Sequence, residues 1–143
     1  MRALVQRVSS ASVDVDGELF ARIGPGMVVL LGVAVDDTRD EAERIARKLR
    51  ALRIFDDEEG RMNEPLGDDR EVLCISQFTL YGDVRKGNRP AWSRAAPGDR
   101  AKPLYELVCD LLGAERGVFG AAMSVDLVNE GPVTLLVEAD AAG

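Results

Sequence analysis

The chain has 143 residues, of which 46% are hydrophobic; this suits one globular domain spanning residues 1–143 and is too apolar for a disordered chain. Its net charge of −7, from 18 basic and 25 acidic residues, argues against non-specific coating of nucleic acid. The sequence contains no histidine, which excludes Ser-His-Asp and Cys-His catalysis and histidine-ligated zinc within the chain. Any catalysis must therefore use backbone groups, hydroxyls, carboxylates, amines or the substrate itself.

The first part of the chain has the pattern of β-strands. Alternating hydrophobic residues predict a strand over residues 4–15, a two-residue hairpin turn at Asp16-Gly17, and a return strand that ends near Ile23. A Gly-Pro-Gly sequence then interrupts the pattern. The continuous apolar run over residues 27–33 indicates a strand that is covered on both faces.

Two helices are predicted from apolar residues at helical spacing. The first begins after Thr38, which with Glu41 forms a capping box, and its apolar stripe consists of Ala42, Ile45, Ala46, Leu49 and Leu52. The second helix starts between residues 99 and 102, because Pro103 is expected in the first turn, and ends at Gly113. Its stripe consists of Leu104, Leu107, Val108, Leu111 and Leu112.

The remaining segments give the order strands, helix, strand, helix, strands. Residues 72–80 are predicted as a largely apolar strand, residues 82–98 as a long loop, and residues 123–127 and 133–137 as two closing strands around a turn at residues 129–132. Two helices are too few to cover all of this strand surface. We expect a mixed α/β fold of layered sheets with the helices on one side, and a second copy of the chain is an alternative cover for part of the strands.

Cysteine usage and hydropathy suggest where the protein works. Cys74 and Cys109 lie in apolar patterns and are interpreted as buried thiols, since two cysteines are too few for a disulfide scaffold. The amino-terminal residues lack the apolar core of a signal peptide, and the longest apolar run, residues 27–31, is too short to cross a bilayer. We expect a cytoplasmic protein that does not contact membranes.

Ser76, Gln77, Phe78 and Thr79 form the first candidate site. Polar residues inside an apolar strand cost free energy unless they find hydrogen-bond partners. Two interpretations remain open: hydrogen bonding within the core, or the polar floor of a pocket in which Phe78 stacks on a flat ligand group. A nucleophilic role for Thr79 is disfavoured, because no histidine is available to activate its hydroxyl.

The second candidate is a basic loop. Residues 85–102 carry a net charge of +5, whereas the rest of the chain carries −12. This contrast indicates a defined contact with a polyanion, with Trp92 as a stacking surface and Gly87 providing mobility; a solvated run of charges is the alternative.

The third candidate is the Gly131-Pro132 pair. A Gly-Pro pair between strands usually forms a turn, but Gly131 also allows the backbone to approach a ligand closely. Sequence patterns alone leave open whether the bond before Pro132 is cis or trans.

Taken together in this order and spacing, five segments resemble bacterial D-aminoacyl-tRNA deacylases over nearly the whole chain. They are residues 2–8 (RALVQRV), 76–80 (SQFTL), 86–90 (KGNRP), 119–123 (FGAAM) and 128–134 (VNEGPVT). The resemblance implies a layered β-β-α sandwich and an editing hydrolase that cleaves the ester between D-amino acids, and mischarged glycine, and tRNA. It implies a homodimer with active sites at the interface, and neither a cofactor nor a metal.

The resemblance also assigns roles to residues. Ser76, Gln77, Phe78 and Thr79 are expected to form the catalytic pocket with backbone N–H donors, and the adjacent ribose hydroxyl of the substrate to help activate water. The substrate-binding residues are expected to be Arg7, Asn129, Gly131 and Pro132. Gly131-Pro132 is expected to be cis, to enter the partner's site and to exclude L side chains, with Arg7 orienting it.

The basic loop is expected to contact tRNA through Lys86 and Arg89. Two alternatives to this function remain: a general esterase that uses Thr79, and a non-catalytic module that binds the acceptor end of tRNA.

Overall fold

The protein is described here by a computed structural model that covers residues 1–141. Eight strands and two α-helices follow one another within these residues. They are β1 (Arg2–Val15), β2 (Glu18–Ile23), β3 (Gly26–Gly32), α1 (Arg39–Ala51), β4 (Phe55–Asp56), β5 (Met62–Glu64), β6 (Glu71–Ser76), α2 (Gly98–Leu112), β7 (Glu115–Arg116) and β8 (Met123–Glu138). A 3-10 helix, Phe78–Tyr81, follows β6. Neither α-helix is long and apolar enough to cross a membrane.

β1 organises the main sheet because it pairs with three other strands. Six strands form this sheet, with the path β2-β1-β3-β6-β7, and β8 pairs with the other edge of β1. β1 runs antiparallel to β2, β3 and β8, whereas β3, β6 and β7 are parallel to one another. The order of neighbouring strands from β6 to β8 is therefore β6-β3-β1-β8.

Local sequence signals explain the hairpin and the first helix. Asp16 and Gly17 both have positive φ, 52° and 80°, as a tight two-residue turn requires, and Val15 pairs with Glu18 across it. The capping box of α1 is present: the Thr38 side chain accepts a hydrogen bond from the Asp40 N–H, and the Glu41 carboxylate accepts one from the Thr38 N–H. Both predictions are confirmed.

Two hydrophobic clusters lie on opposite faces of β3 and β6. One cluster places Met27, Val29 and Cys74 against α1 and α2, and the other packs Val28 and Leu73 against β1, β2 and β8. The prediction that the apolar run of β3 is covered on both faces is thus confirmed. The mixed α/β class with two helices is also confirmed, while the layered β-β-α sandwich stays a prediction.

The predicted strand over residues 72–80 is too long. β6 ends at Ser76, and the chain turns into the 3-10 helix. The reason lies in the neighbouring strand: the Gln77 N–H donates to the carbonyl of Leu31 at 2.7 Å, and β3 itself ends one residue later, at Gly32. Beyond this point a strand would have no partner on that side.

The predicted start of α2 is also wrong. The helix begins at Gly98, after the N-cap Pro97, so Pro103 is its sixth residue and lies beyond the first turn. The Pro97 carbonyl accepts hydrogen bonds from the N–H groups of Arg100 and Ala101. The helix therefore begins earlier than expected from the preference of proline for the first helical position. The predicted end holds, because Gly113 is the C-cap with left-handed φ.

The two predicted closing strands are one strand, β8. Both halves pair with β1, which keeps the element continuous across the predicted turn. Gln6 pairs with Thr134 and Val8 with Asn129, so β8 advances five residues while β1 advances two. The extra residues form a bulge that contains Gly131-Pro132.

Three short strands were not predicted, whereas the state of the two cysteines was. The β4–β5 hairpin and β7 escaped prediction, because elements of two or three residues carry no usable periodicity. Cys74 and Cys109 are free and buried, as predicted. The hydrogen bond with Cys109, together with burial, raises the pKa of the Cys74 thiol, so it stays protonated.

Candidate active site

A cavity of about 510 Å³ opens where the parallel strands β3 and β6 end. This volume lies within the usual range of small-ligand pockets, and ends of parallel strands are frequent ligand sites. The N-terminal part of α2 and the segment before β8 supply the other walls. The lining residues are Leu31, Val33, Ile75, Ser76, Gln77, Phe78, Ala96, Gly98, Ala101, Tyr105, Phe119, Gly120, Ala121, Met123 and Val125.

The turn after β6 presents polar groups at this cavity. Ser76, Gln77 and Phe78 line it, and the Gln77 amide donates a hydrogen bond to the Thr79 hydroxyl. The Gln77 backbone continues the ladder to Leu31, and its carbonyl accepts from the Leu80 N–H at 3.2 Å. The segment is bonded to the core and also forms part of a pocket wall, while the stacking of Phe78 on a ligand group stays a prediction.

The start of the turn leaves two backbone donors free. Within residues 1–141, the N–H groups of Phe78 and Thr79 have no acceptor. Both residues are exposed, and Phe78 lines the cavity. Adjacent free N–H groups beside a cavity can bind a carbonyl oxygen as it becomes negatively charged.

The cavity wall has almost no acid–base chemistry. Among the lining residues in the described part of the chain there is no carboxylate, amine, guanidinium or thiol, and Tyr105 is the one titratable side chain. Its hydroxyl donates to the Cys74 carbonyl at 2.7 Å, and burial raises its pKa above the usual range. Tyr105 is thus held as a protonated structural donor, and the remaining polar groups of the wall are the Ser76 hydroxyl, the Gln77 amide and the backbone.

The bulge of β8 is the second notable feature. Gly131 and Pro132 are joined by a cis peptide bond, and both residues are exposed. Gly131 has φ +125°, and a Cβ there would lie 2.9 Å from the Arg7 guanidinium and 2.9 Å from Val133 Cγ2. Only glycine fits this conformation and this contact without displacement.

Arg7 anchors the bulge from β1. Its Nε donates to the Glu130 carbonyl at 3.0 Å, and its terminal nitrogen donates to the Ile54 carbonyl at 2.9 Å and to the Asp56 carboxylate at 3.2 Å. The side chain is 12% exposed. A nearly buried guanidinium that donates in three directions fixes the main chain directly before Gly131.

Asn129 closes the bulge on itself. Its side-chain oxygen accepts from the Val133 N–H at 2.9 Å, and its side-chain nitrogen donates to the Thr134 hydroxyl at 2.8 Å. The Asn129 side chain thus joins the residue that precedes Glu130 to the two residues that follow Pro132, which closes the chain around Gly131-Pro132.

The structure groups the predicted residues into separate places. Ser76, Gln77, Phe78 and Thr79 lie together after β6, whereas Arg7, Asn129, Gly131 and Pro132 lie together on β1 and β8. Along the sheet, three strand spacings, each of about 4.8 Å, lie between β6 and β8. Within one chain the two groups are therefore apart.

Lys86 and Arg89 lie on a third feature, the exposed loop between the 3-10 helix and α2. An antiparallel bridge between Asp83 and Ala91 ties its base. Arg85 pairs with Asp83 at 2.7 Å, while Lys86 and Arg89 make no ion pair within the described residues. These two cations are available to an anionic partner.

Comparison with known proteins shows which family the chain belongs to. The model of a family described as D-Tyr-tRNA(Tyr) deacylase matches residues 4–138, nearly the whole chain. The chain belongs to the D-Tyr-tRNA(Tyr) deacylase family. A D-aminoacyl-tRNA deacylase from Desulfatibacillum aliphaticivorans is 55% identical over 144 residues, covering 96% of this chain and 99% of the relative. One from Micrococcus luteus is 52% identical over 146 residues, covering 98% and 95%.

Solved structures agree with the deacylase family fold. The structure titled c-Myc DNA Unwinding Element Binding Protein superposes with a TM-score of 0.93 at 42% identity, covering 99% of this chain and all of the other. A probable eukaryotic D-amino acid tRNA deacylase superposes with a TM-score of 0.82 at 18% identity, covering 95% and 97%. At that lower identity the likeness bears on the fold alone.

Sequence reasoning missed most of the apolar wall of the cavity in this deacylase-family chain. Tyr105 lines it, yet this residue belongs to a pattern that is ordinary for a core helix. Periodicity gives no signal that separates core from pocket at such positions. The other lining residues of this wall, Phe119, Gly120, Ala121 and Met123, gave a signal only as part of the 119–123 segment.

Proposed function

We propose that the protein is an editing hydrolase that cleaves the ester between a D-amino acid, or mischarged glycine, and tRNA. Membership of the D-Tyr-tRNA(Tyr) deacylase family makes it a hydrolase of aminoacyl-tRNA esters. The observation that carries the mechanism is a cavity with free backbone donors and no acid–base side chain other than a hydrogen-bonded tyrosine within residues 1–141. We propose that it acts in the cytoplasm, where charged tRNA is used.

In this mechanism the ester carbonyl lies against the turn after β6. Water attacks the carbonyl carbon, and the N–H groups of Phe78 and Thr79 donate hydrogen bonds to the developing oxyanion. One such donor is worth about 10²- to 10³-fold in rate in well-studied hydrolases. An aminoacyl ester is already labile, so modest acceleration is enough.

The substrate supplies the remaining chemistry. The ribose hydroxyl next to the ester relays a proton: it accepts one from the attacking water and gives its own to the ester oxygen of the ribose, as the bond between that oxygen and the carbonyl carbon breaks. The free amino acid and the restored tRNA 3′ end are the products. Ser76 and the Gln77 amide position the ribose and the ester without exchanging protons.

Chirality is read by the bulge of a second copy of the chain. Gly131-Pro132 lies on β8, is exposed, and is three strands away in the sheet from the turn after β6 of its own chain. Large exposed apolar side chains surround it on the same strand, which supports a homodimer with shared sites: Val128, Leu135 and Leu136.

In the dimer, the carbonyls of Gly131 and Pro132 hold the substrate α-amino group and leave no space for an L side chain. A main-chain carbonyl cannot rotate away from a clash as a side chain can. Arg7 and Asn129 keep the filter in place. Glycine has no side chain to exclude, so glycyl-tRNA passes the filter.

The tRNA itself is bound by the basic loop. Lys86 and Arg89 carry unpaired charges on an otherwise acidic protein, and they contact phosphates near the acceptor end. Such contacts add affinity without reading the base sequence.

The decisive assay compares one tRNA charged with the D- and the L-form of the same amino acid. The proposal expects rapid loss of the D-ester and survival of the L-ester, without added metal. Equal cleavage of both would contradict the filter. Binding without ester loss would identify a non-catalytic module, and cleavage of small activated esters that is abolished by Thr79→Ala would identify a general esterase.

A further inference from the structure

Trp92 contacts Phe78, a residue of the cavity wall, and is not used by the proposed mechanism. It is the only tryptophan of the chain, and 42% of its surface is exposed. Its ring contacts the ring of Phe78 edge-on, with 5.0 Å between centroids and 66° between planes. Phe78 lines the cavity and is itself 55% exposed, so an aromatic surface extends from the cavity to the basic loop.

The indole is held in place despite its exposure. A Cβ on Gly82 would lie 2.8 Å from Cζ3 of Trp92, so the ring packs directly on the main chain at this glycine. Beside it, Asp83 and Ala91 exchange two backbone hydrogen bonds, of 2.8 and 2.9 Å. A fixed and solvent-exposed aromatic ring loses little side-chain entropy when a flat group stacks on it.

The charges around Trp92 indicate which flat group fits. The loop and the first turns of α2, residues 85–102, carry a net charge of +5 on a chain whose remainder carries −12. Lys86 and Arg89 are exposed and make no ion pair among the described residues. An exposed aromatic ring on the same loop as unpaired cations is a pattern that binds single-stranded nucleic acid, with bases on rings and phosphates on cations.

We propose that Trp92 stacks on the base of the nucleotide that precedes the terminal adenosine in the single-stranded 3′ end of the substrate tRNA. This inference rests on the proposed function, in which the terminal adenosine lies at the turn after β6. Phe78 then contacts the terminal nucleotide, and Trp92 contacts the one before it. The ring reads no sequence, because every base has a face that can stack.

Fluorescence tests this directly, since Trp92 is the only source of indole emission. The probe is the ribotrinucleotide CCA, with adenosine alone as the matched short ligand. Saturable quenching by CCA, well beyond that by adenosine, is the expected result. Equal quenching by both probes, or no quenching by CCA at concentrations that inhibit deacylation, would overturn the proposal.

Kinetics with Trp92→Ala provide the second test. The expected change is an increase in KM of about 5- to 100-fold for D-aminoacyl-tRNA, with no change for D-aminoacyl-adenosine, which lacks the preceding nucleotide. Trp92→Phe should retain most of the affinity. Val84→Ala, which removes an exposed apolar side chain from the same loop, is the control and should behave like wild type.

The two proposals fail in distinguishable ways. An equal loss on both substrates, or no loss on either, rejects the role of Trp92 while wild-type deacylation stands. Absence of deacylation by the wild type rejects the proposed function, and the CCA titration then still decides whether Trp92 binds a single-stranded end.

Discussion

The turn after β6 and the bulge of β8 both interrupt a regular strand, but they are held in opposite ways. In the turn, main chain bonds to main chain: the Gln77 N–H donates to Leu31 and its carbonyl accepts from Leu80. In the bulge, the side chains of Arg7 and Asn129 hold the main chain around Gly131. A backbone-anchored turn tolerates the loss of side chains, whereas a bulge anchored by side chains does not.

This difference suits the two proposed tasks. Donors that stabilise an oxyanion must keep their direction in every catalytic cycle, and strand ladders are the most rigid support for an N–H group. The filter has to protrude far enough to reach another site, so it lies outside any ladder and needs a dedicated anchor. Substitutions that separate the two tasks can test the comparison.

Gly131→Ala should have the largest effect. The added Cβ meets Arg7 and Val133 at 2.9 Å on a backbone with φ +125°, so the bulge must shift. A displacement of about 1 Å in a positioning element costs about 100-fold in rate, and we expect that loss in kcat/KM for D-aminoacyl-tRNA. Glu130→Ala is the neighbouring control, because only its main-chain carbonyl is used. A wild-type rate for Gly131→Ala would refute the assigned role.

Arg7→Ala should come next. It leaves the carbonyls of Glu130 and Ile54 without their donor, so the bulge is no longer anchored to β1. D/L selectivity should fall by about 10- to 100-fold, which is the size expected for the loss of one hydrogen bond from a charged group. Arg7→Lys should recover only part of the selectivity, because lysine keeps the positive charge but cannot donate in three fixed directions. Arg22→Ala removes an exposed charge elsewhere and should leave selectivity intact. Unchanged selectivity in Arg7→Ala would mean that the bulge holds its own shape.

Thr79→Ala should have a small effect, within about 5-fold in kcat, because the proposed donor is its backbone N–H. Among residues 1–141, the lost hydroxyl accepts a hydrogen bond only from the Gln77 amide. Single-turnover hydrolysis of D-aminoacyl-tRNA measures the change, and circular dichroism verifies folding. A drop of about 10³-fold in a folded variant would restore Thr79 as a nucleophile or a proton carrier.

The smallest effect concerns the frame that both regions share. Hydrogen bonds from the Thr38 side chain and N–H lower the pKa of Glu41 from 4.5 to about 2, against the opposing effect of burial. A lowered folded-state pKa contributes stability that is complete above pH 4.5 and is lost as the pH falls towards 2. Urea unfolding across this window should show the decline, and Glu41→Gln should be less stable at pH 7 and flatter in the acid range. An identical pH slope in both proteins would contradict the assignment.

The sequence predicts the regular frame of this fold well. The hairpin at Asp16-Gly17 and the capping box at Thr38 are local patterns whose physics is complete within a few residues. The errors arise where distant chain segments decide the outcome. β6 stops because β3 stops, and the predicted turn in β8 is a bulge because β1 continues past it.

The candidate site shows the same limit. Polar residues in an apolar strand mark Ser76 and Gln77, but no local pattern brings Arg7 to a carbonyl more than 120 positions away. In the sequence, only the resemblance to the deacylase family indicated that these residues belong to one functional site. The role of Tyr105 in the cavity wall could not be predicted either, because its spacing is that of an ordinary core helix.

Activity of mixed dimers tests the central claim most directly, namely that main chain donated by one copy completes the catalytic site of the other. One chain carries Gly131→Ala, and the other carries Ala121→Trp, which fills its own cavity. Each alone should be nearly inactive, and an equal mixture refolded together should recover about a quarter of wild-type activity, since half of the dimers then hold one intact site of two. A mixture as inactive as its components would contradict the account.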